Sequence, residues 1–225
     1  ENGPMKKNKI IAIILLALMV LWAIIQFLPS GTKDGKQEDK NKPQKVEITP
    51  PVFSKDSAIA YLKKQVDFGP RVPLSKGHNA CYNWLVNECK KRGATVHEQY
   101  TKMTSWEGNA TPVKNIIASF APEKKSRVML AAHWDTRWVA DKDPDKTVIK
   151  NPIDGANDGA SGVVVLLELA RLFQNTTPNV GVDLVFFDNE DQGAPEWSDL
   201  PPALSNKTWC LGSQYWAKNL HTPGY

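Results

Sequence analysis

The strongest constraint in this 225-residue sequence is a pair of apolar runs, RVMLAAH (127–133) and VDLVFF (182–187), separated by GASGVVVLLELARLFQN (159–175). Each run has the length of a strand and is nearly continuous in apolar residues, which predicts strands covered on both faces. The intervening segment is too long for a strand. Val163, Leu166, Leu167, Ala170 and Leu172 fill one broad side of it at helical spacing, so it reads as a helix despite its valines. A strand, a crossover helix and a second strand predict a parallel pair in an α/β sheet.

In α/β sheets, ligands bind beyond the carboxyl ends of parallel strands. Three polar clusters fall at that edge: HWD (133–135), DGANDGASG (154–162) and DNED (188–191). Each has a plain structural reading. His133 and Asp135 can form a structural hydrogen bond. Asp154, Asn157 and Asp158 can be turn and cap residues, since Asx-Gly steps favour turns. Glu190 and Asp191 can be solvated loop acids. All three on one rim argue for a shared site. The run FFDNED (186–191) sets three acids, Asp188, Glu190 and Asp191, at the end of a buried strand. Like charges so close repel, and a carboxylate leaving water is costly unless something positive meets it. A metal answers that need. With no CxxC or other thiolate pattern, the ligands must be carboxylate and imidazole, which suits a catalytic zinc with one open position. Asp158 and one of the pair Glu190 and Asp191 would hold the ion. The remaining acid would move protons, its pKa raised by burial and by the neighbouring acids.

Upstream, Ser54 or Asp56 can cap a helix running to about Asp67, with Ala58, Ile59, Leu62 and Val66 facing inward. FGPRVP breaks it. A second helix is predicted from about Ser75 to Arg92, with His78, Cys81, Tyr82, Leu85 and Cys89 inside and Gly93 as its stop. Strands follow at about 95–101 and 114–120, and a further helix at 212–220. The segment 136–152 reads either as a cover over the crevice or as ordinary surface. Cys81 and Cys89 lie about 12 Å apart on one helix, too far for a disulfide, so free, partly buried thiols are expected, with Cys210 the third.

Residues 10–28, IIAIILLALMVLWAIIQFL, reach about 28 Å as a helix and follow the basic stretch MKKNK. They read as a signal anchor rather than a cleaved signal peptide, because the run exceeds the usual length of roughly 7–15 residues and no small-x-small cleavage site follows. The folded part is therefore expected outside the cytoplasm, on a polar tether over 29–51, with the domain proper at 52–225. Residues 1–4, before Met5, read as a scar or extension. Beyond residue 28 the charges are 25 basic and 23 acidic, leaving no nucleic-acid footprint.

LAAHWDTR, GANDGASGVVVLLELAR, FFDNED, Trp197 and GSQYWAKN together resemble glutaminyl-peptide cyclotransferases, which share a fold with zinc-dependent aminopeptidases of the bacterial leucyl type. The resemblance covers roughly residues 55–225. It implies a three-layer α/β sandwich with a mixed, mostly parallel sheet. It further implies that Asp158 and Asp191 are zinc ligands and Glu190 the general acid/base, with Trp197 lining the substrate pocket. His133 and Asp135 would then either help hold a second zinc or brace the site from behind. The family's third ligand, a histidine, lies further along than His221, so the C-terminal part of the domain is expected beyond Tyr225. The activity implied is conversion of N-terminal glutamine of peptides and proteins to pyroglutamate with release of ammonia, using one zinc. The alternatives are a two-zinc aminopeptidase and a non-catalytic, membrane-tethered binding domain.

Overall fold

A computed structural model describes residues 49–223 and 225. The anchor at 10–28 and almost all of the tether at 29–51 lie outside the described residues. No helix among the described residues is long and apolar enough to cross a membrane.

Chain order is α1 (Lys55–Val66), α2 (Lys76–Lys91), β1 (Thr95–Thr104), β2 (Ala110–Phe120), β3 (Arg127–His133), α3 (Ala160–Asn175), β4 (Gly181–Phe187), the short α4 (Pro202–Ser205) and α5 (Leu211–Lys218). Ser54 caps α1 and Ser75 caps α2, each accepting a hydrogen bond from the backbone N–H three residues on. Gly93, with φ 83°, ends the second helix as expected. On α1, Ala58 and Leu62 pack against the core as expected, but the centre of the buried face is shifted. Tyr61 and Gln65 are buried, whereas Ile59 is exposed. The helix turns its Tyr61 side to the core, and the Gln65 amide, buried with it, donates to the carbonyl of Ala160.

The sheet is mixed, in the order β1-β2-β4-β3. β3 and β4 are parallel in the register Arg127↔Gly181 to His133↔Phe187, as the crossover helix requires. The β1–β2 and β2–β4 pairs are antiparallel, so antiparallel pairing has the larger share in the described chain. β1 and β2 are joined by a five-residue turn, and so short a connection permits only an antiparallel pair.

Strand alternation sorts the core into two sides. Ile116, Ala118 and Phe120 of β2, with Val182, Leu184 and Phe186 of β4, face a cluster completed by α1, α2 and α3. On the other side α5 covers Phe187, whose ring meets Trp216 edge-on at 5.9 Å. Helices on both sides make the three layers. β3 does not match the expected doubly covered strand. It is the edge strand of this sheet, and Val128 and Leu130 remain exposed. All three cysteines are free, Cys81 and Cys89 fully buried.

Away from the site, Asp183 is buried on β4 and takes Arg127 at 2.6 Å, with the Ser119 and Tyr225 hydroxyls also donating to it and His221 Nε2 at 3.6 Å. Burial opposes its charge, but His221, Arg127 and the two hydroxyls outweigh burial and hold its carboxyl far below the usual range. A depressed folded-state pKa gives stability that is present above the unfolded value of about 3.9 and lost as pH falls. Asp183→Asn is therefore expected to lower stability at pH 7 by roughly 3–5 kcal/mol. It should also flatten the loss seen on acidification below about pH 5. Urea melts across pH 3–7 test both parts, and parallel curves for the two proteins would refute the assignment.

Candidate active site

The parallel pairing sends β3 and β4 out of the sheet side by side, at His133 and Phe187. The next residue on β4, Asp188, is fully buried and turns away from the rim. It accepts from His78 Nε2 at 2.9 Å, from the backbone N–H of Lys114 at 2.8 Å and from that of Asn189. His78 in turn stacks on Trp134 at 4.3 Å. The first acid in the FFDNED run is thus met by a histidine of α2, and Asp188 joins a structural pair.

The other acids are arranged differently. Asp135, fully buried, accepts the backbone N–H groups of Glu190 and Asp191, both at 3.1 Å, and the Gln192 side-chain amide at 2.9 Å. Burial opposes its ionisation, but His133 and these donors keep its pKa below normal. Its lone pairs are spent holding the 190–192 turn, which places it behind the site as a brace.

Asp158 comes from the turn before α3, close to the positive end of that helix. Gly159, φ 91°, is required there, because a Cβ would collide with the carbonyl of Asp135. Asp158 lies 3.0 Å from His133 Nε2 and is more than half exposed. His133 Nδ1 is 3.6 Å from Asp135 and 3.9 Å from Glu190 and has no hydrogen-bond partner. Burial alone would lower the His133 pKa, but Asp135, Glu190 and Asp158 push it up to about 9.

Asp191 sends its backbone groups inward and its side chain toward a cavity. Its Oδ2 is buried without a partner. Burial, with Asp158 and Asp135 nearby, pushes its pKa up to about 7. Glu190 is partly exposed and accepts a weak hydrogen bond from the Cys210 thiol at 3.4 Å. Asp158 and Asp191 both line a cavity of about 460 Å³, closed by Arg137, Val139 to Pro144, Ile153 and Trp209. The 136–152 segment therefore lines the crevice through its first half.

Trp197 is 44% exposed and is not among the residues of this cavity. Trp209 is, held under the Arg137 guanidinium at 4.4 Å. The sequence analysis missed Trp209. The only signal for it was Gly193, which leaves room for that indole. His221 lies against Asp183, on the side away from the rim. Among the described residues no three His, Cys, Asp or Glu side chains are gathered closely enough to hold a metal. Two carboxylates converge, however, and one has a buried oxygen lacking any donor. An unpartnered anionic oxygen beside further acids fits a cation, with the remaining ligands to come from elsewhere.

Comparison with known proteins identifies relatives of the chain. Residues 115–224 match Peptidase family M28. A glutaminyl cyclase from Bacteroides thetaiotaomicron has 48% sequence identity and a TM-score of 0.76, over 79% of this chain and 60% of that one. A Zn-dependent exopeptidase from Parabacteroides distasonis has 48% identity and a TM-score of 0.75, over 79% and 60%. An uncharacterized protein of Escherichia coli, YfbL, is 39% identical over 186 residues, 82% of this chain and 51% of that protein. The chain spans about half the length of this curated relative. The chain belongs to the zinc-aminopeptidase-like superfamily. Three solved structures of bacterial glutaminyl cyclases share 45%, 48% and 49% identity with it.

The crowding of acids leads to a stability prediction. With metal stripped by a chelator, Asp191→Asn should melt higher than the parent, because it removes one of the repelling charges and keeps the side chain's size. The same variant should bind zinc at least about tenfold more weakly. Calorimetry and zinc titration of the two proteins check this, and a lower melting temperature for the metal-free variant would contradict the account of Asp191.

Proposed function

We propose that the protein is a glutaminyl-peptide cyclotransferase that closes N-terminal glutamine of peptides into pyroglutamate and releases ammonia. The observation that carries this reading is the convergence of Asp158 and Asp191 on one cavity, with Glu190 on the same turn as Asp191 and 3.9 Å from the His133 ring that Asp158 contacts. It is supported by the similarity to glutaminyl cyclases. Asp158 and Asp191 are the residues that would hold one zinc ion. Zinc, when bound, supplies Lewis-acid polarisation of the side-chain carbonyl oxygen.

The chain's own residues do the rest. The reaction forms a bond between the α-amine nitrogen and the γ-carboxamide carbon and breaks that carbon's bond to its amide nitrogen. Glu190, partly exposed on the rim, takes the proton from the attacking amine. It then hands that proton to the departing nitrogen, which leaves as ammonia. Attack is within one molecule, so positioning does much of the work. Trp209 and Ile153 give the cavity an apolar wall against which a glutamine side chain can lie. Asp135 holds the Glu190 N–H and so fixes where that carboxylate starts.

The contact between His133 and Asp158 favours a second reading, a zinc aminopeptidase in which His133 gives up its proton and joins a second metal. Products separate the two, since cyclisation yields ammonia and an intact chain, whereas hydrolysis yields a free amino acid. Location outside the cytoplasm, with attachment to the membrane through residues 10–28, also belongs to this proposal. It rests on the sequence of that run.

Glu190→Gln in the full-length protein should reduce ammonia release from a Gln-initiated peptide by about 10²–10⁴-fold while zinc content is retained. A coupled ammonia assay with metal analysis decides this, and turnover equal to the parent would reject Glu190 as the proton carrier.

A further inference from the structure

Two buried arginines stand behind the two carboxylates that face the cavity, and neither takes part in the chemistry above. Arg71 is fully buried, in the FGPRVP stretch that ends α1. Its guanidinium is spent on backbone carbonyls: Trp134 at 3.1 Å, Gln65 at 3.3 Å, Asp154 at 2.9 Å and Gly155 at 2.8 Å. Its backbone N–H adds a bond to the Thr136 hydroxyl at 2.8 Å. It thereby ties the segment after β3 to the loop that carries Asp158. Gly155, φ 58°, lets the loop fold this tightly, because a Cβ there would collide with the Thr136 side chain and with the carbonyl of Asp158 itself, and would stand 3.0 Å from Arg71 Nη2.

Arg137 does the same for the other loop. It is paired with Asp141 and donates to the carbonyls of Asp191 at 3.1 Å, Gly193 at 2.8 Å and Ala194 at 3.2 Å. Both clamps share one frame, since Arg71 grips Trp134 and Arg137 lies three residues further on. A planar guanidinium can hold several carbonyls at fixed angles, whereas a lysine ammonium offers three donors from a single point. Burying such a charge is costly, so each must have a structural return.

We propose that Arg71 and Arg137 are the positioning residues that set the gap between Asp158 and Asp191, and with it the protein's affinity for zinc. This rests on the ligand assignment made under Proposed function. The test uses full-length protein and measures zinc affinity by competition with a chelator, at a temperature where circular dichroism shows each variant folded. Arg71→Lys and Arg137→Lys should each lose roughly 10–100-fold in affinity. Arg127→Lys is the control. It weakens a buried ion pair at the opposite end of the sheet, and its zinc affinity should stay within about twofold of the parent. If the arginine variants fall no further than that control, while Asp158→Asn and Asp191→Asn lose binding, the positioning role is overturned and the ligand assignment stands. If Asp158→Asn and Asp191→Asn bind zinc like the parent, the assignment falls and the proposal with it.

Discussion

The buried carboxylate of Asp135 is the interaction on which the site depends. It sits just past the end of β3 and accepts three hydrogen bonds from the turn that follows β4. A parallel pair brings two strand ends together but does not fix what lies beyond them. Asp135 does so by satisfying the backbone N–H groups of Glu190 and Asp191, which would otherwise be orphaned in a buried turn. Replacing it with an apolar residue would leave three donors unpaired, and each such loss costs about 1–3 kcal/mol. The same bonds fix the turn from which the Asp191 side chain reaches the cavity and the Glu190 side chain reaches His133 and Cys210.

The rest of the rim follows the same division of labour. Main-chain groups of the site loops are taken up by buried side chains: Asp135 takes the N–H groups, and Arg71 and Arg137 take the carbonyls. The side chains of Asp158, Glu190 and Asp191 are left free to meet a ligand. Free carboxylates on a saturated backbone are preorganised, because little ordering remains to be done when a ligand arrives. Glycines permit the close approaches at two points, Gly155 beside Arg71 and Gly159 beside the carbonyl of Asp135.

How much of this could be read from the sequence depends on range. The parallel pair and its crossover helix were legible because apolar periodicity is local, and β3 spans 127–133 as expected. The gathering of 133–135, 158 and 190–191 on one rim was legible from topology alone. The role of Asp188 was not, since its partner His78 lies 110 positions away and a histidine on an apolar helix face gives no sign of what it meets. Arg71 was hidden for a related reason. Its partners are carbonyls, which every residue has, so no pattern of residue types marks them. The exposure of β3 followed from its place at the sheet edge, and an apolar run does not tell an edge strand from a central one. Trp197 and Trp209 show the limit of motif spacing. Both follow the acid turn, and only the folded loop brings Trp209 to the cavity.

Charge separates the acids that build the fold from those that face the cavity. Asp183 has Arg127 and Asp141 has Arg137, each an ion pair at contact distance, and Asp188 has a hydrogen bond from His78. Around the crevice, Asp135, Asp158, Glu190 and Asp191 share a single imidazole. The consequences point one way: the Asp191 pKa is pushed up to about 7 and that of His133 up to about 9. Burial first, then the acids Asp158 and Asp135, raise Asp191, whereas His133 rises against its burial because Asp135, Glu190 and Asp158 give the cluster an excess of negative charge. A folded protein keeps such an excess only where something outside the chain repays it, since proton uptake removes only part of the repulsion. A divalent cation would displace those protons and offset the negative charge, since Arg137 is spent on the Asp141 carboxylate and on backbone carbonyls and not on the Asp158 and Asp191 side chains.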